Sequence, residues 1–228
     1  MKIAILGAMV EEITPILARV QVQQEHDIGH NRYYEARYRN LELVIAYSKI
    51  GKVNAALSAS VMFLHFGAQK LIFSGVAGGI AANLKVGDLV IADKLCQHDV
   101  DITAFGHPFG FIPETTLFYE ADSELNALAI NAAKSQNLRF QIGTVATGDQ
   151  FVASSERKNW VAKQFDAIAL EMEGAAVAAV CAALGKPFCV LRAISDAADA
   201  DANFSFDSFL EKSARESADL LFLMLEQM

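Results

Sequence analysis

The sequence predicts a three-layer α/β/α fold, a mixed central β-sheet flanked by helices, and three observations carry that expectation. Short apolar runs rich in β-branched residues recur along the 228-residue chain, and stretches with helical spacing separate them. No Ser/Gly/Pro linker, low-complexity tract or internal repeat interrupts the series. Hydrophobic residues make up 53% and charged residues 20%, which is ample material for a core and the reverse of a disordered composition. With only four prolines as punctuation, residues 1–228 read as one domain.

The elements follow in order. Residues 3–6, 43–46, 71–73, 89–92 and 188–191 are apolar without polar alternation, the signature of strands covered on both faces. Residues 32–39 alternate more, and Asn40 before the 43–46 run predicts an antiparallel hairpin. Residues 52–66 form an Ala/Leu-rich helical stretch. A second, 122–137, opens at a cap in Asp122 or Ser123, and a third, 173–184, is nearly all Ala, Val and Leu. The last, 206–227, spaces Phe206, Phe209, Leu210, Ala214, Leu220, Leu221 and Leu225 as a helix does.

Charge narrows the partners. Lys and Arg number 19 against 27 Asp and Glu, a net charge of −8, which repels phosphate backbones and argues against nucleic acid. A small-molecule substrate is the expectation. Cys96, Cys181 and Cys189 form an odd set without CxxC spacing, so they read as buried filler in a reducing compartment. The apolar start at residues 3–10 is followed at once by Glu11 and Glu12, favouring a buried strand over a signal peptide. The longest uncharged interval, from Lys52 to Lys70, is broken by polar residues and is no membrane span. We expect a soluble, cytoplasmic protein.

Several motifs are missing. Gly75, Gly78 and Gly79 follow a strand but match neither GxGxxG nor a P-loop, although glycines there let a ligand approach the backbone. His26 and His30 flank residues 27–29, which read as a loop, so no metal site and no cofactor are expected. What stands out is acid at the ends of apolar strands, where α/β sheets place ligand crevices. Glu11 and Glu12 follow the first strand; Glu171 and Glu173 interrupt an apolar run; Arg192 and Asp196 close another. Carboxylates in such settings must be paired, hydrogen-bonded or protonated. Period-two alternation sends Glu171 and Glu173 to opposite faces, so at most one should serve a given site. Paired carboxylates of this kind can cut a glycosidic bond, one aligning water while a protonated acid assists the leaving group.

At these residues the sequence resembles the nucleoside phosphorylase-like family, and within it the 5′-methylthioadenosine/S-adenosylhomocysteine nucleosidases. The likeness runs through residues 1–12, 50–56, 74–79, 101–106, 147–151, 171–173 and 192–196. It implies hydrolysis of the N-glycosidic bond of these two nucleosides to adenine and the 5-thio-ribose, a step of methionine salvage. By resemblance Glu12 activates the water, and Asp196, kept protonated by a raised pKa, protonates adenine N7. Glu173 grips the ribose hydroxyls with Met172 along the sugar, Arg192 organises water and carboxylates, and Ser195 orients Asp196. Phe151 stacks on adenine and the Val152 backbone reads its edge, while Glu171 and Gly78 complete the binding wall. Met9, Ile50 and Phe206 enclose the 5′-thio group.

The family's members are homodimers, and Ile102, Phe105 and Pro113 match the segment lent to the neighbouring site. Val76 stands where some members carry Ser, and His107 replaces an expected aromatic. Three alternatives stay open: a phosphorylase, a 6-amino-6-deoxyfutalosine hydrolase, and a non-catalytic nucleoside-binding protein on the same scaffold. A phosphorylase needs clustered cations for phosphate, and Lys70 lies too early to supply the one that precedes the Gly-rich segment.

Overall fold

The computed structural model describes residues 1–198 and 202–228, with the side chains of residues 202–205, 207 and 208 left aside. Among the described residues the chain forms ten strands and six α-helices. The strands are β1 (Lys2–Gly7), β2 (Gln21–Ile28), β3 (Asn31–Tyr38), β4 (Leu41–Tyr47), β5 (Lys70–Gly79), β6 (Leu89–Gln97), β7 (Tyr119–Glu120), β8 (Phe140–Thr147), β9 (Ala167–Glu171) and β10 (Phe188–Asp196). The helices are α1 (Val10–Leu17), α2 (Lys52–Leu64), α3 (Ser123–Ser135), α4 (Ser155–Phe165), α5 (Gly174–Ala183) and α6 (Ala202–Leu225), with one turn of 3-10 helix at Thr103–Phe105.

The uninterrupted apolar runs have a simple cause. In β1, Ala4 and Leu6 enter one core while Ile3 and Ile5 enter the other. Val44 and Ala46 of β4 divide in the same way from Leu43 and Ile45, as do Phe188 and Val190 of β10 from Cys189 and Leu191. Successive side chains leave a strand on opposite faces, so a strand covered twice needs apolar residues at every position. Helices α2 and α5 cover the first face with Ala55, Ala59, Met62, Val177 and Ala178; α1, α3 and α6 cover the second with Ile13, Ile16, Leu125, Ala129, Ala218 and Leu221. The three-layer expectation holds. Asp122 caps α3, accepting from the Leu125 N–H at 2.9 Å. The three cysteines are free and buried.

The sheet is mixed, in the order β10-β6-β8-β9-β5-β1-β4-β3-β2. The 32–39 and 43–46 runs pair antiparallel as expected, Tyr34 opposite Ile45. One feature goes beyond the sequence reading: β10 also pairs with β5 along its length, so β5, β9, β8, β6 and β10 close into a ring. The corner is turned where Gly78 and Gly79 of β5 meet Leu170 and Ala169 of β9. Glycine in a strand interior permits such a bend. His26 lies in β2 rather than in a loop; only His30 occupies the turn, with φ of +59°. Strand β2 takes polar residues because it is the sheet's exposed edge. No helix among the described residues is long and apolar enough to cross a membrane.

Candidate active site

The C-terminal ends of β1, β4, β5, β8, β9 and β10 converge on one cavity of about 290 Å³. Its wall holds Met9, Glu12, Ile50, Gly78, Phe151, Val152, Glu171, Met172, Glu173, Ser195, Asp196 and Phe206 from the sequence reading. Ala8, Val76, Ala77, Gln150, Leu170 and Ala198 join them. Of these, Ala8, Leu170 and Ala198 are small or apolar residues that carry no chemical signal in the sequence, so only the fold could find them.

Glu12 sits in the first turn of α1, reaching back over the loop that leaves β1. Its Oε2 accepts from the backbone N–H of Ala8 at 2.5 Å and of Met9 at 3.0 Å, and its Oε1 from Val76 at 2.9 Å. Burial pushes its carboxyl above the ordinary range, while Arg192 and the three backbone donors pull the other way. The result is a clamped carboxylate of enhanced basicity. Space for it comes from Gly75. A Cβ there would lie 2.5 Å from Glu12 Oε1 and 2.6 Å from Arg192 Nη1. The glycines therefore admit side chains of the protein itself; at Gly78 a Cβ would stand 2.8 Å from Asp196 Oδ1.

Asp196 ends β10. Its Oδ2 accepts from the Ser195 hydroxyl at 2.8 Å and its Oδ1 from the Ala198 N–H at 2.8 Å. The β10–β5 register shifts between Ile194 and Asp196, and this irregularity lets Ser195 and Asp196, neighbours in sequence, both line the cavity.

Glu171 and Glu173 correct the alternation argument, since both line the same cavity. Strand β9 stops at Glu171, and Glu173 is already the N-terminal cap of α5, with φ −139° and ψ −37°. Period two has no hold past a strand's end. Glu171 is in addition tied to neighbouring groups of the protein. Its carboxylate accepts from Thr147 Oγ1, Arg192 Nη2, and the N–H groups of Glu173 (3.1 Å) and Gly174 (2.7 Å). Those bonds commit it to the start of α5 and to Arg192.

Arg192 is 1% exposed, lies behind the wall in register with Gly75, and stacks 4.0 Å over the Phe73 ring. Glu171, Glu12 and Glu173 all hold its charge. Glu173 accepts from the Gly51 N–H at 2.8 Å. Burial, with repulsion from Glu171, pushes its carboxyl up to about 8.

Phe151 is 44% exposed at the mouth and meets Phe206 edge to face, with ring centroids 5.6 Å apart. Ile50 is 51% exposed on the same rim. Ile102, Phe105 and Pro113 lie off the wall of their own chain, and Phe105 is 81% exposed. Among the described residues, no group of three His, Cys, Asp or Glu side chains is arranged to hold a metal.

Residues 2–226 match the phosphorylase superfamily. The chain belongs to that superfamily. An aminodeoxyfutalosine nucleosidase of Helicobacter pylori is 53% identical, covering 100% of this chain and 99% of that protein. A 5′-methylthioadenosine/S-adenosylhomocysteine nucleosidase of Geobacillus thermodenitrificans is 42% identical, covering 99% of this chain and 96% of that one. A crystal structure of the 5′-methylthioadenosine/S-adenosylhomocysteine nucleosidase of Helicobacter pylori with butyl-thio-DADMe-Immucillin-A matches with a TM-score of 0.98 at 52% identity, covering 100% of this chain and 99% of that one. This superfamily member is accordingly an enzyme, an N-glycosyl hydrolase of the nucleosidase type.

Proposed function

We propose that the enzyme hydrolyses the N-glycosidic bond of adenine nucleosides altered at the 5′ carbon, releasing adenine and the 5-substituted ribose. The observation that carries this reading is the meeting of three buried carboxylates, Glu12, Glu173 and Asp196, in one cavity whose described wall holds no Lys or Arg. A phosphorylase must clamp a phosphate dianion and needs cations there.

Water attacks the anomeric carbon, and its proton passes to Glu12. The bond to adenine N9 breaks with its electron pair going to the base, while Asp196 delivers a proton to N7. Positioned proton transfer of this kind contributes about 10²–10⁴-fold. Three backbone donors hold Glu12 against rotation, which favours one line of attack. Arg192 Nε and Nη1 find no acceptor among the described residues, and buried donors of that kind are satisfied by solvent or ligand. They stand close to Glu12, suited to orienting the nucleophile. One oxygen of Glu173 accepts from Gly51, leaving the other for the ribose hydroxyls, while Phe151 and Val152 take the adenine.

The 5′ end faces Met9, Ile50 and Phe206. That rim favours 5′-methylthioadenosine and S-adenosylhomocysteine, and the aminodeoxyfutalosine nucleosidase at 53% identity favours 6-amino-6-deoxyfutalosine as a second substrate of the same site. We read the enzyme as a cytoplasmic homodimer. Val53, Leu57 and Leu64 expose an apolar row along α2, and Phe105 is free to close a neighbour's 5′ pocket. Adenine release in phosphate-free buffer from 5′-methylthioadenosine, S-adenosylhomocysteine, 5′-deoxyadenosine and 6-amino-6-deoxyfutalosine tests the proposal. A requirement for phosphate overturns it.

A further inference from the structure

The start of α2 breaks local rules. Gly51 adopts φ of +101° and the nearby Lys49 one of +72°, a conformation that costs a residue with a side chain. Lys52 is the first residue of α2, where the positive end of the helix dipole disfavours a cation, and no acidic residue stands in that first turn. Such violations mark places where tertiary contacts dictate the conformation.

The contacts form a closed circuit across three loops. Lys52 Nζ donates to Asp99 Oδ1 at 2.7 Å and to Gln97 Oε1 at 3.1 Å, at the end of β6. Asp99 Oδ2 accepts from the Asp149 N–H at 2.9 Å, beyond the end of β8. Asp149 Oδ1 accepts in turn from the Lys52 N–H at 2.8 Å, serving as a cap that α2 lacks from its own sequence. The ion pair is largely buried, with side-chain exposures of 17% and 13%, so each partner depends on the other. Two of these loops, those of Lys52 and Asp149, lead to the cavity. Ile50 precedes the pair Gly51–Lys52, Phe151 follows Asp149 by two residues, and the Gly51 N–H donates to Glu173.

We infer that Lys52, Asp99 and Asp149 form a positioning latch for the nucleosidase reaction, holding the Gly51 N–H on Glu173 so that the carboxylate is fixed to meet the ribose. Lys52 touches no substrate in this arrangement; it acts through the loop. The inference rests on the ribose-binding role proposed for Glu173.

The test is a double-mutant cycle on the full chain with Lys52→Met, Glu173→Gln and the pair, measured as KM and kcat for 5′-methylthioadenosine. Lys52→Met should raise KM about tenfold and change kcat less than threefold. In the Glu173→Gln background the same change should alter KM less than twofold. Lys52→Arg, which keeps the cation, should restore most of the loss. Thermal unfolding confirms that each variant is folded, and Asp149→Ala, which removes the acceptor for the Lys52 N–H and should raise KM in the same direction, serves as a second probe if Lys52→Met is not. Additive KM effects, or a wild-type KM in both Lys52→Met and Asp149→Ala, overturn the latch. An unchanged KM in Glu173→Gln alone instead overturns the ribose assignment.

Discussion

Replacing Gly75 with Ala adds one methyl group at the point where the two most constrained charges of the site approach the backbone. The new Cβ would lie 2.5 Å from Glu12 Oε1, 3.0 Å from Glu12 Cδ and 2.6 Å from Arg192 Nη1. Neither side chain can give way without loss. Glu12 is tied by three backbone N–H groups, and Arg192 is tied to Glu171 over the Phe73 ring. Relief requires the Glu12 carboxylate to leave Val76, a hydrogen bond to a charged group worth about 1.5–3 kcal/mol. Overpacking of a filled interior costs about 1–3 kcal/mol when the neighbours move instead. We therefore expect Gly75→Ala to lower the unfolding free energy by about 2–4 kcal/mol. For a chain of this size that is roughly 5–15 °C in Tm. A displacement of about 1 Å at a positioned catalytic group costs about 10²-fold in rate. The kcat for adenine release should fall by about that factor, while KM stays within about threefold, because the adenine and ribose contacts do not involve Gly75. Steady-state kinetics beside a thermal melt read both quantities. A variant with wild-type kcat and Tm would refute the steric argument, and one with a lowered Tm but wild-type kcat would refute the water-activating role of Glu12.

Other outcomes follow from the same geometry. Asp196→Asn should lower kcat by about 10²–10⁴-fold while leaving binding of an adenosine analogue measurable by calorimetry. Phe105→Ala should raise KM more than it lowers Tm, since the ring is 81% exposed on its own chain, and analytical ultracentrifugation should find a dimer. Arg192→Met leaves Glu171 buried without its cation and should cost about 3–5 kcal/mol in chemical denaturation. Between 4.5 and about 8 native Glu173 keeps a proton that the unfolded chain has released, so this group's contribution to stability falls as pH rises through that window; Glu173→Gln should remove that part of the slope. His98 has the opposite sign. Burial, then Arg157, pushes it down to about 4 from 6.5, so the unfolded chain gains a proton first and stability is lost as pH falls through that interval; His98→Gln should flatten it in denaturation series.

The legibility of the fold varied with burial. Strands β1, β4, β5, β6 and β10 were readable because two-sided coverage leaves an unbroken apolar run. Strand β2 was not, because the sheet's edge is paid for in polar residues that resemble a loop. Helix α1 is two turns long with Pro15 inside it, too short for a periodic pattern to register. In the site, Glu12 and Asp196 could be singled out as acids beside strands, but the fate of Glu171 could not. Its commitment to Arg192, Thr147 and the α5 terminus joins residues from three separate strands and one helix.

The amino-acid pattern alone determined the layers, the doubly covered strands β1, β4, β5, β6 and β10, and the inventory of acids able to cleave a glycosidic bond. Those properties are local: side-chain period and residue type suffice to state them. Only the tertiary structure decided that β10 lies against β5, with Arg192 beside Gly75 and Asp196 beside Gly78. Register between strands more than a hundred residues apart is set by the packing of both cores at once, and no window of sequence contains it.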